Sequence, residues 1–390
     1  MAVIYLVSIF LLGIYISLLL YYRYSWNTIP VFTASTLHPT ASTLISVIIP
    51  ARNESENLPS LLKSLSEQTY PAGLFEVLII NDHSTDDTAE IVHSFSSKNI
   101  KLISLKEYTT GNEINSYKKK AIEIGIQQST GTFIVTTDAD CYVPPNWLKT
   151  MASFYEQYHP AFIAAPVSID CGLHFIEIFQ ALDFMTLQGI TGASVHKKIH
   201  SMCNGANMAY EKNAFYEVGG FKGIDDIASG DDMLLMHKIY ERYPERVLFL
   251  KSTDAIVQTA PVKTISAFFN QRIRWASKAD KYEDKRIFLV LILVYLINVF
   301  LLVLPIISVF KNYPLSIIHY QLSLGALCVI LLILKTSVEL FFLFPVSKFF
   351  GKHQLLFLFP LMQPFHIIYT VIAGWLGKFG TYQWKERKVK

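Results

Sequence analysis

Two stretches of this chain, one near each end, have no charged residue over a length that matches a lipid bilayer. Ala2–Leu20 is uncharged and almost wholly apolar, and Ile287–Phe310 is uncharged as well. In hydrocarbon every backbone N–H and C=O must be satisfied within the protein, so an apolar run of about 20 residues is read as a spanning helix. For the first run the alternative is a cleaved signal peptide, but it lacks a basic leading region and an Ala-x-Ala-like cleavage site. Tyr21-Tyr22-Arg23-Tyr24 follows, an aromatic belt with one positive charge, which reads as a cytoplasmic flank. A composition of 52% hydrophobic and 17% charged residues reflects these ends. Ile317–Leu334 and Leu355–Leu376 are further candidate spans. Between them, Glu339–Phe350 is short, contains Pro345 and Lys348, and reads as interfacial or re-entrant. Lys335 and Glu339 stand four apart, spaced to neutralise each other at a helix end. Three crossings after a cytoplasmic middle would put the basic tail KERKVK outside, against the positive-inside tendency. Either one segment does not cross, or a fourth lies near Glu339.

The middle of the chain alternates strands and helices. ISVIIPARN is a buried strand stopped by Pro50, and Glu54–Gln68 has apolar residues at helical spacing. FEVLIIND is a second strand, and STDDTAEIVHSF has a Ser/Thr cap and early acids that open a helix. IKLISL, KKKAIEIGIQQS and FIVTTDAD continue as strand, helix, strand. This alternation predicts a largely parallel α/β sheet covered on both faces, with ligands at the carboxyl ends of the strands. Polar residues collect at those ends: Arg52, Asn53 and Glu54, then Asn81 and Asp82, then Asp138 and Asp140. Beyond them, PAFIAAPVSI reads as one strand and Phe175–Gln188 as an amphipathic helix. CNGANMAY places Gly205 and Asn207 in a turn before a strand. Asp231-Asp232 opens a further helix, and Thr264–Lys285 is an amphipathic helix suited to a membrane interface.

Several chemistries are excluded. Net charge is +3, and no Lys/Arg run is interleaved with aromatics, so nucleic acid is not a partner. Cys141, Cys171, Cys203 and Cys328 are far apart and form neither a CxxC nor a zinc pattern, which suits a reducing cytosolic face. No GxGxxG or Walker A pattern is present. What remains is an acidic pair at a strand end. Asp138-x-Asp140 can reach one hard cation, which completes its shell with phosphate oxygens and water. Each motif also has a bland reading. Asp82 can cap a turn, Asp231-Asp232 can complement a helix dipole, and Lys118-Lys119-Lys120 reads as a solvated face. Gln271-x-x-Arg274-Trp275 can be an interfacial anchor.

Order and spacing resolve these alternatives. ISVIIPARNESENL, EVLIINDHSTDDT, TTDAD, SGDDMLL and QRIRW together resemble the motifs of family-2 glycosyltransferases with the GT-A fold, over roughly residues 44–280. The QxxRW motif makes the chain similar to the membrane-bound members, the polysaccharide synthases and ceramide glucosyltransferases. Asn81 and His83 depart from the usual Asp and Gly, and Gly230-Asp231-Asp232 replaces the commoner Thr-Glu-Asp. The resemblance implies a Rossmann-like GT-A catalytic domain flanked by transmembrane helices. Its boundaries are an anchor at 1–23, a linker at 24–43, a catalytic domain at 44–263, an interfacial helix at 264–285, a membrane region at 286–377 and a basic tail at 378–390.

The implied activity is inverting transfer from a nucleotide-diphosphate sugar, such as a UDP-sugar, to a lipid, lipid-linked or glycan acceptor at the cell membrane, with the catalytic domain cytoplasmic. Pro50, Arg52, Glu54, Asp82, Lys118, Asp138, Gln271 and Arg274 would bind the donor. Asp138 and Asp140 would hold Mg²⁺ or Mn²⁺. Asp231 and Asp232 would be the catalytic pair, with Asp232 as the general base and Asp231 capping the helix or orienting the loop, and Asn207 and Trp275 would meet the acceptor. A processive β-polysaccharide synthase is the alternative function. A non-catalytic nucleotide-sugar-binding membrane protein is a remoter one.

Overall fold

The structure is a computed structural model that describes residues 2–34, 42–95, 99–109, 116–227, 230–310, 315–317, 320–380, 382–384 and 387–389. In chain order the elements begin with α1 (Ala2–Thr28), β1 (Ile45–Ala51), α2 (Leu58–Ser66), β2 (Phe75–Asn81), α3 (Thr88–Ser94), β3 (Ile100–Ser104), α4 (Tyr117–Gln128) and β4 (Phe133–Thr136). Next come β5 (Cys141–Tyr142), α5 (Trp147–Tyr158), β6 (Phe162–Ala164), β7 (Val167–Ile169), α6 (Phe175–His196), β8 (Met208–Glu211), α7 (Lys212–Glu217) and α8 (Met233–Arg242). The remainder are β9 (Val247–Phe249), β10 (Val257–Thr259), α9 (Ile265–Ala276), α10 (Lys285–Phe310), α11 (Leu324–Phe349) and α12 (Phe359–Phe379). Two compact units emerge, an α/β unit of residues 29–171 and 191–261 and a helical unit of residues 1–28, 172–190 and 262–390.

The α/β unit is built on a seven-stranded sheet in the order β3-β2-β1-β4-β8-β6-β9. β3, β2, β1 and β4 are mutually parallel, and β8 runs antiparallel to both β4 and β6. β1 and β2 are buried along nearly their whole length, which is why they read as continuous apolar runs rather than alternating ones. α4 lies close on this sheet. A Cβ on Gly125 would meet the Ile48 side chain at 2.6 Å, so the helix can approach only where that position is glycine. Pro50 does not stop β1 but lies inside it, opposite Ile80. The β1–β4 register ends at Ile48–Thr136, so the missing N–H of Pro50 falls beyond the neighbouring strand. PAFIAAPVSI is two strands, not one. β6 joins the main sheet, and β7 joins a second sheet of order β5-β10-β7. The break falls at Ala165-Pro166, where the proline cannot donate to a ladder.

Glu76 fastens the amino-terminal edge of the main sheet. Its carboxylate accepts from the Thr130 N–H at 2.6 Å, the Thr130 hydroxyl at 2.7 Å and the Ser46 hydroxyl at 2.8 Å, and pairs with Lys101 at 3.1 Å. Burial pushes this carboxyl up, but the bonds from Thr130 and Ser46 and the Lys101 contact outweigh it and hold it down at about 2.

In the helical unit, four helices among the described residues are long and apolar enough to cross a membrane: Val3–Thr28, Lys285–Phe310, Leu324–Phe349 and His353–Phe379. Glu339–Phe350 is therefore not a separate re-entrant piece. All but its last residue is the second half of α11, which runs through Pro345. Two features let α11 continue. Pro345 removes the N–H that would bond the carbonyl of Phe341. Arg23 of α1 donates to that carbonyl instead, and its guanidinium lies 3.6 Å from the Phe341 ring centre. Lys335 and Glu339 do pair, at 2.7 Å, but in the middle of the helix rather than at an end. Gln363 of α12 closes a ring with them, accepting from Lys335 at 2.8 Å and donating to Glu339 at 2.7 Å, and the Tyr15 hydroxyl donates to Glu339.

Two further sequence boundaries move. Residues 172–190, assigned by sequence to the catalytic domain, group with the helical unit. There Phe179 packs edge-on against Phe268, Phe365 and Tyr369. The amphipathic helix expected over 264–285 is shorter. It is α9, capped by the Thr264 hydroxyl on the Ala267 N–H, and it ends at Ala276.

Two predictions follow from these ties. Glu76 contributes stability that is complete above its ordinary pKa of about 4.5 and is lost as pH falls towards about 2. Hydrogen-exchange protection factors at β1 and β2 amides in wild type should therefore fall over that interval, whereas Glu76→Gln should start with lower protection and show a flatter acid response. For the buried pair, Glu339→Ala and Lys335→Met should each destabilise the protein by about 3–5 kcal/mol, because each leaves a buried charge alone. The double variant should lose clearly less than the sum, a coupling readable from thermal melts in detergent.

Candidate functional site

The carboxyl ends of β1 and β2 carry two loops laced together by short polar side chains. The Asn53 carbonyl oxygen accepts from the Thr85 N–H at 2.9 Å, and the Asn53 N–H donates to the Ser84 hydroxyl at 3.1 Å. Asn53 and His83 both take positive φ, of 51° and 54°, in these turns. Arg52 reaches across, its Nη1 donating to the carbonyls of Asp82 at 2.9 Å and His83 at 3.2 Å. The Glu54 N–H donates to the Thr88 hydroxyl, and the Glu54 carboxylate accepts from Asn57 at 2.8 Å. Asp82 is buried, its Oδ1 3.0 Å from His83 Nδ1. Within the protein, then, Arg52 and Glu54 shape the loop that presents Asp82.

The acidic motifs come together one strand further on. β4 ends at Thr136, and Asp138 and Asp140 follow it, the first half-buried and the second exposed. Lys118, in the first turn of α4, lies 2.8 Å from Asp138 Oδ1 and 3.0 Å from Asp231 Oδ2. A single ammonium thus joins the strand-end pair to the acidic pair of SGDDMLL. Burial alone would lower the Lys118 pKa, but the charges of Asp138 and Asp231 outweigh it and raise it, so the group stays protonated. Asp231 is 5% exposed. Asp232 is more open, and it rather than Asp231 caps α8. Its Oδ1 accepts from the Met233 N–H at 2.7 Å, and its Oδ2 accepts from the Gly205 N–H at 3.3 Å. Gly205 is the floor of the cluster. A Cβ there would stand 3.2 Å from Asp231 Oδ2 and 3.4 Å from Lys118 Nζ.

Asp138 and Asp140 offer only carboxylate oxygens, the donor set that suits Mg²⁺ or Mn²⁺ rather than a softer metal. Asp140 is exposed, and only Oδ1 of Asp138 is in the ion pair with Lys118, so this chemistry fits a hard cation.

Other sequence assignments change. Lys118-Lys119-Lys120 is not a solvated face. Lys119 is 1% exposed and donates to the carbonyls of Ile224 and Ile227, tying α4 to the chain just before Asp231. Asn207, expected at the acceptor, is fully buried. Its amide donates to the carbonyls of Pro166 and Ala255, both at 2.7 Å, and its oxygen accepts from Trp147 at 3.0 Å. It braces the break between β6 and β7 and turns no polar atom to the surface where an acceptor would bind. Gln271, Arg274 and Trp275 belong to the helical unit. There one face of Trp275 lies against the Arg272 guanidinium, 4.2 Å from the ring centre, so that face is not open to an acceptor. Sequence reasoning missed Gly205 and Lys119. The Asn204-Gly205 turn before a strand was the available signal for the first.

Residues 46–219 match Glycosyl transferase family 2, and residues 133–351, over half of the chain, match Glycosyl transferase family group 2. A poly(ribitol-phosphate) beta-N-acetylglucosaminyltransferase of Staphylococcus aureus is 33% identical over 115 residues, 29% of this chain and 19% of that protein. A Bacillus subtilis protein named "Probable glycosyltransferase YdaM" is 27% identical over 243 residues, 60% of this chain and 54% of that protein. The chain spans about half of these relatives' length or less. A solved mannosyltransferase from Pyrobaculum calidifontis, in complex with GDP-Man and Mn2+, is similar over 96% of this chain and 98% of that one. The TM-score is 0.56 at 17% identity, a likeness of fold. With GT-A architecture and a family match over more than half its length, the chain belongs to glycosyl transferase family group 2.

Proposed function

We propose that this chain is a membrane-embedded, inverting glycosyltransferase that moves a sugar from a nucleotide-diphosphate sugar to a lipid, lipid-linked or glycan acceptor. The observation that carries this reading is the Lys118 bridge, which holds Asp138 and Asp231 in one cluster beside Asp232 at the carboxyl ends of parallel strands. Asp82, presented by the Arg52–Asn53 loop, contacts the nucleotide base. Lys118 is poised to trade a carboxylate for a phosphate oxygen of the donor. Asp138 and Asp140 would hold Mg²⁺ or Mn²⁺, and the cation supplies charge stabilisation to the departing diphosphate.

Asp232 acts as general base. It takes the acceptor hydroxyl proton as that oxygen bonds the anomeric carbon, and the sugar–phosphate bond breaks with its electron pair leaving on the diphosphate. Asp231 is buried under Lys118 and is the less accessible of the two. The QxxRW resemblance gives Gln271 and Arg274 the role of diphosphate clamp, a proposal that rests on the motif. The four long apolar helices support placement in a membrane. The α/β unit would face the cytoplasm, with Arg23 as a positive flank.

Membranes incubated with a panel of labelled nucleotide sugars, with sizing of the product, test the reading. Transfer from none of them would overturn it. Asp232→Asn keeps a good N-cap, so the fold is preserved. It should bind donor normally and lose about 10²–10⁴-fold in turnover. Asp231→Asn should retain more activity, and the reverse ranking would move the base to Asp231. Asp140→Ala should abolish turnover while leaving insertion and melting near wild type, and excess chelator should silence the wild-type enzyme. Chelator-resistant turnover would remove the metal from the mechanism.

A further inference from the structure

The helical unit holds a cluster of ionisable side chains that the proposed reaction leaves unassigned. Asp183 of α6, 7% exposed, is its centre. Its Oδ2 lies 2.8 Å from Arg272 Nη2 of α9, its Oδ1 accepts from the Tyr369 hydroxyl of α12 at 2.6 Å, and His366 Nε2 stands 4.0 Å away. Arg272 is 4% exposed, and none of its three nitrogens makes a hydrogen bond within the protein. Its contact with Asp183 is a charge contact only. The plane is held in place by the rings of Trp275 at 4.2 Å and Phe268 at 4.8 Å. His366 Nδ1 and Thr370 Oγ1, four residues apart on one face of α12, are also buried without a hydrogen-bond partner.

A guanidinium brings five N–H donors in a fixed fork. Buried polar groups left unmatched in this way mark a place where something else binds, and ionisable groups among membrane helices mark functional sites. The unmatched set holds the donors Arg272 Nε and Nη1 and the Thr370 hydroxyl, the second ring nitrogen of His366, and one acceptor, Asp183 Oδ2, which is already opposed by Arg272 Nη2. A planar fork fixed by stacking is matched to a phosphate oxyanion, which accepts at several oxygens at once, better than to a neutral hydroxyl or carbonyl. Phe357 and Leu361, 85% and 73% exposed, stand at the amino-terminal end of α12 as apolar surface fit for a hydrocarbon chain.

We propose that Arg272, with His366 and Thr370, forms a phosphate-oxyanion subsite in the helical unit that takes the phosphate of a lipid-linked acceptor. The word acceptor rests on the transferase reading. The subsite itself rests on the cluster.

The test uses the purified full-length protein in detergent micelles. Geranylgeranyl monophosphate, geranylgeraniol and inorganic phosphate are titrated separately, with the melting midpoint and tryptophan fluorescence as readouts. UDP and GDP with Mn²⁺ are titrated in parallel. Geranylgeranyl monophosphate should raise the midpoint and perturb the fluorescence, while the alcohol and free phosphate at equal concentration do little. Arg272→Gln should bind the lipid phosphate at least ten-fold more weakly, with nucleotide binding unchanged. His366→Gln keeps the Arg272–Asp183 contact and serves if the first variant does not fold. Equal binding of the alcohol, or wild-type lipid binding in both variants, overturns the proposal. A full response to inorganic phosphate overturns the lipid source. Nucleotide binding absent in wild type with lipid phosphate binding intact would defeat the transferase reading and leave the subsite standing.

Discussion

The ion pairs of Lys118 are the interaction on which the α/β unit's chemistry depends. Three carboxylates crowd one corner of the sheet, two of them within 3.0 Å of this ammonium. Without a cation among them, Asp138 and Asp231 would repel each other, and the loop carrying Asp231 and Asp232 would be pushed away from β4 against its ties to Lys119 and Gly205. The surrounding fold serves the same end. Gly125 lets α4 lie close on the sheet, which brings Lys118 to the strand ends, and Gly205 leaves the space that the carboxylates fill. Lys119, the next residue, points its ammonium to backbone carbonyls and fixes the segment leading into the acidic pair. One turn of helix thus organises both acidic pairs.

A similar principle governs the helical unit, with a different outcome at two places. The Glu339 carboxylate itself has found its partners in Lys335, Gln363 and Tyr15. A closed network of this kind fixes the relative register of three helices, because a shift of one helix would expose several groups at once. Around Asp183 the bonds do not close, and Arg272 keeps donors that the protein does not match. The contrast between a satisfied and an unsatisfied cluster within one unit separates structural polarity from polarity that awaits a ligand.

Much of this was legible in the residues themselves. β1 to β4 follow from continuous apolar runs ending in polar clusters, and their parallel order follows from the intervening helices. The acidic pairs were visible as motifs, but their mutual distance was not, since it is set by Lys118, a residue hidden in what looked like a solvated lysine run. Burial of a charged side chain is decided by tertiary partners, and no local pattern announces it. The same limit hid Asn207, whose polar side chain suggested a ligand contact when its real partners were the carbonyls flanking a strand break. Pro345 misled in the other direction. Proline within an apolar run argues for a break, but a donor from another helix restored the missing bond and let α11 continue.

That donor is Arg23, which stands 318 residues before the carbonyl it serves. A helix early in this sequence is thus a component of one far along it. During synthesis α1 is complete long before α11 exists, and the carbonyl of Phe341 stays without its partner until the two dock. The opening segment is therefore more than a tether. A version truncated ahead of β1 would strip the Phe341 carbonyl, within a long apolar helix, of its hydrogen-bond donor. The integrity of the far end of the chain is written into its first thirty residues.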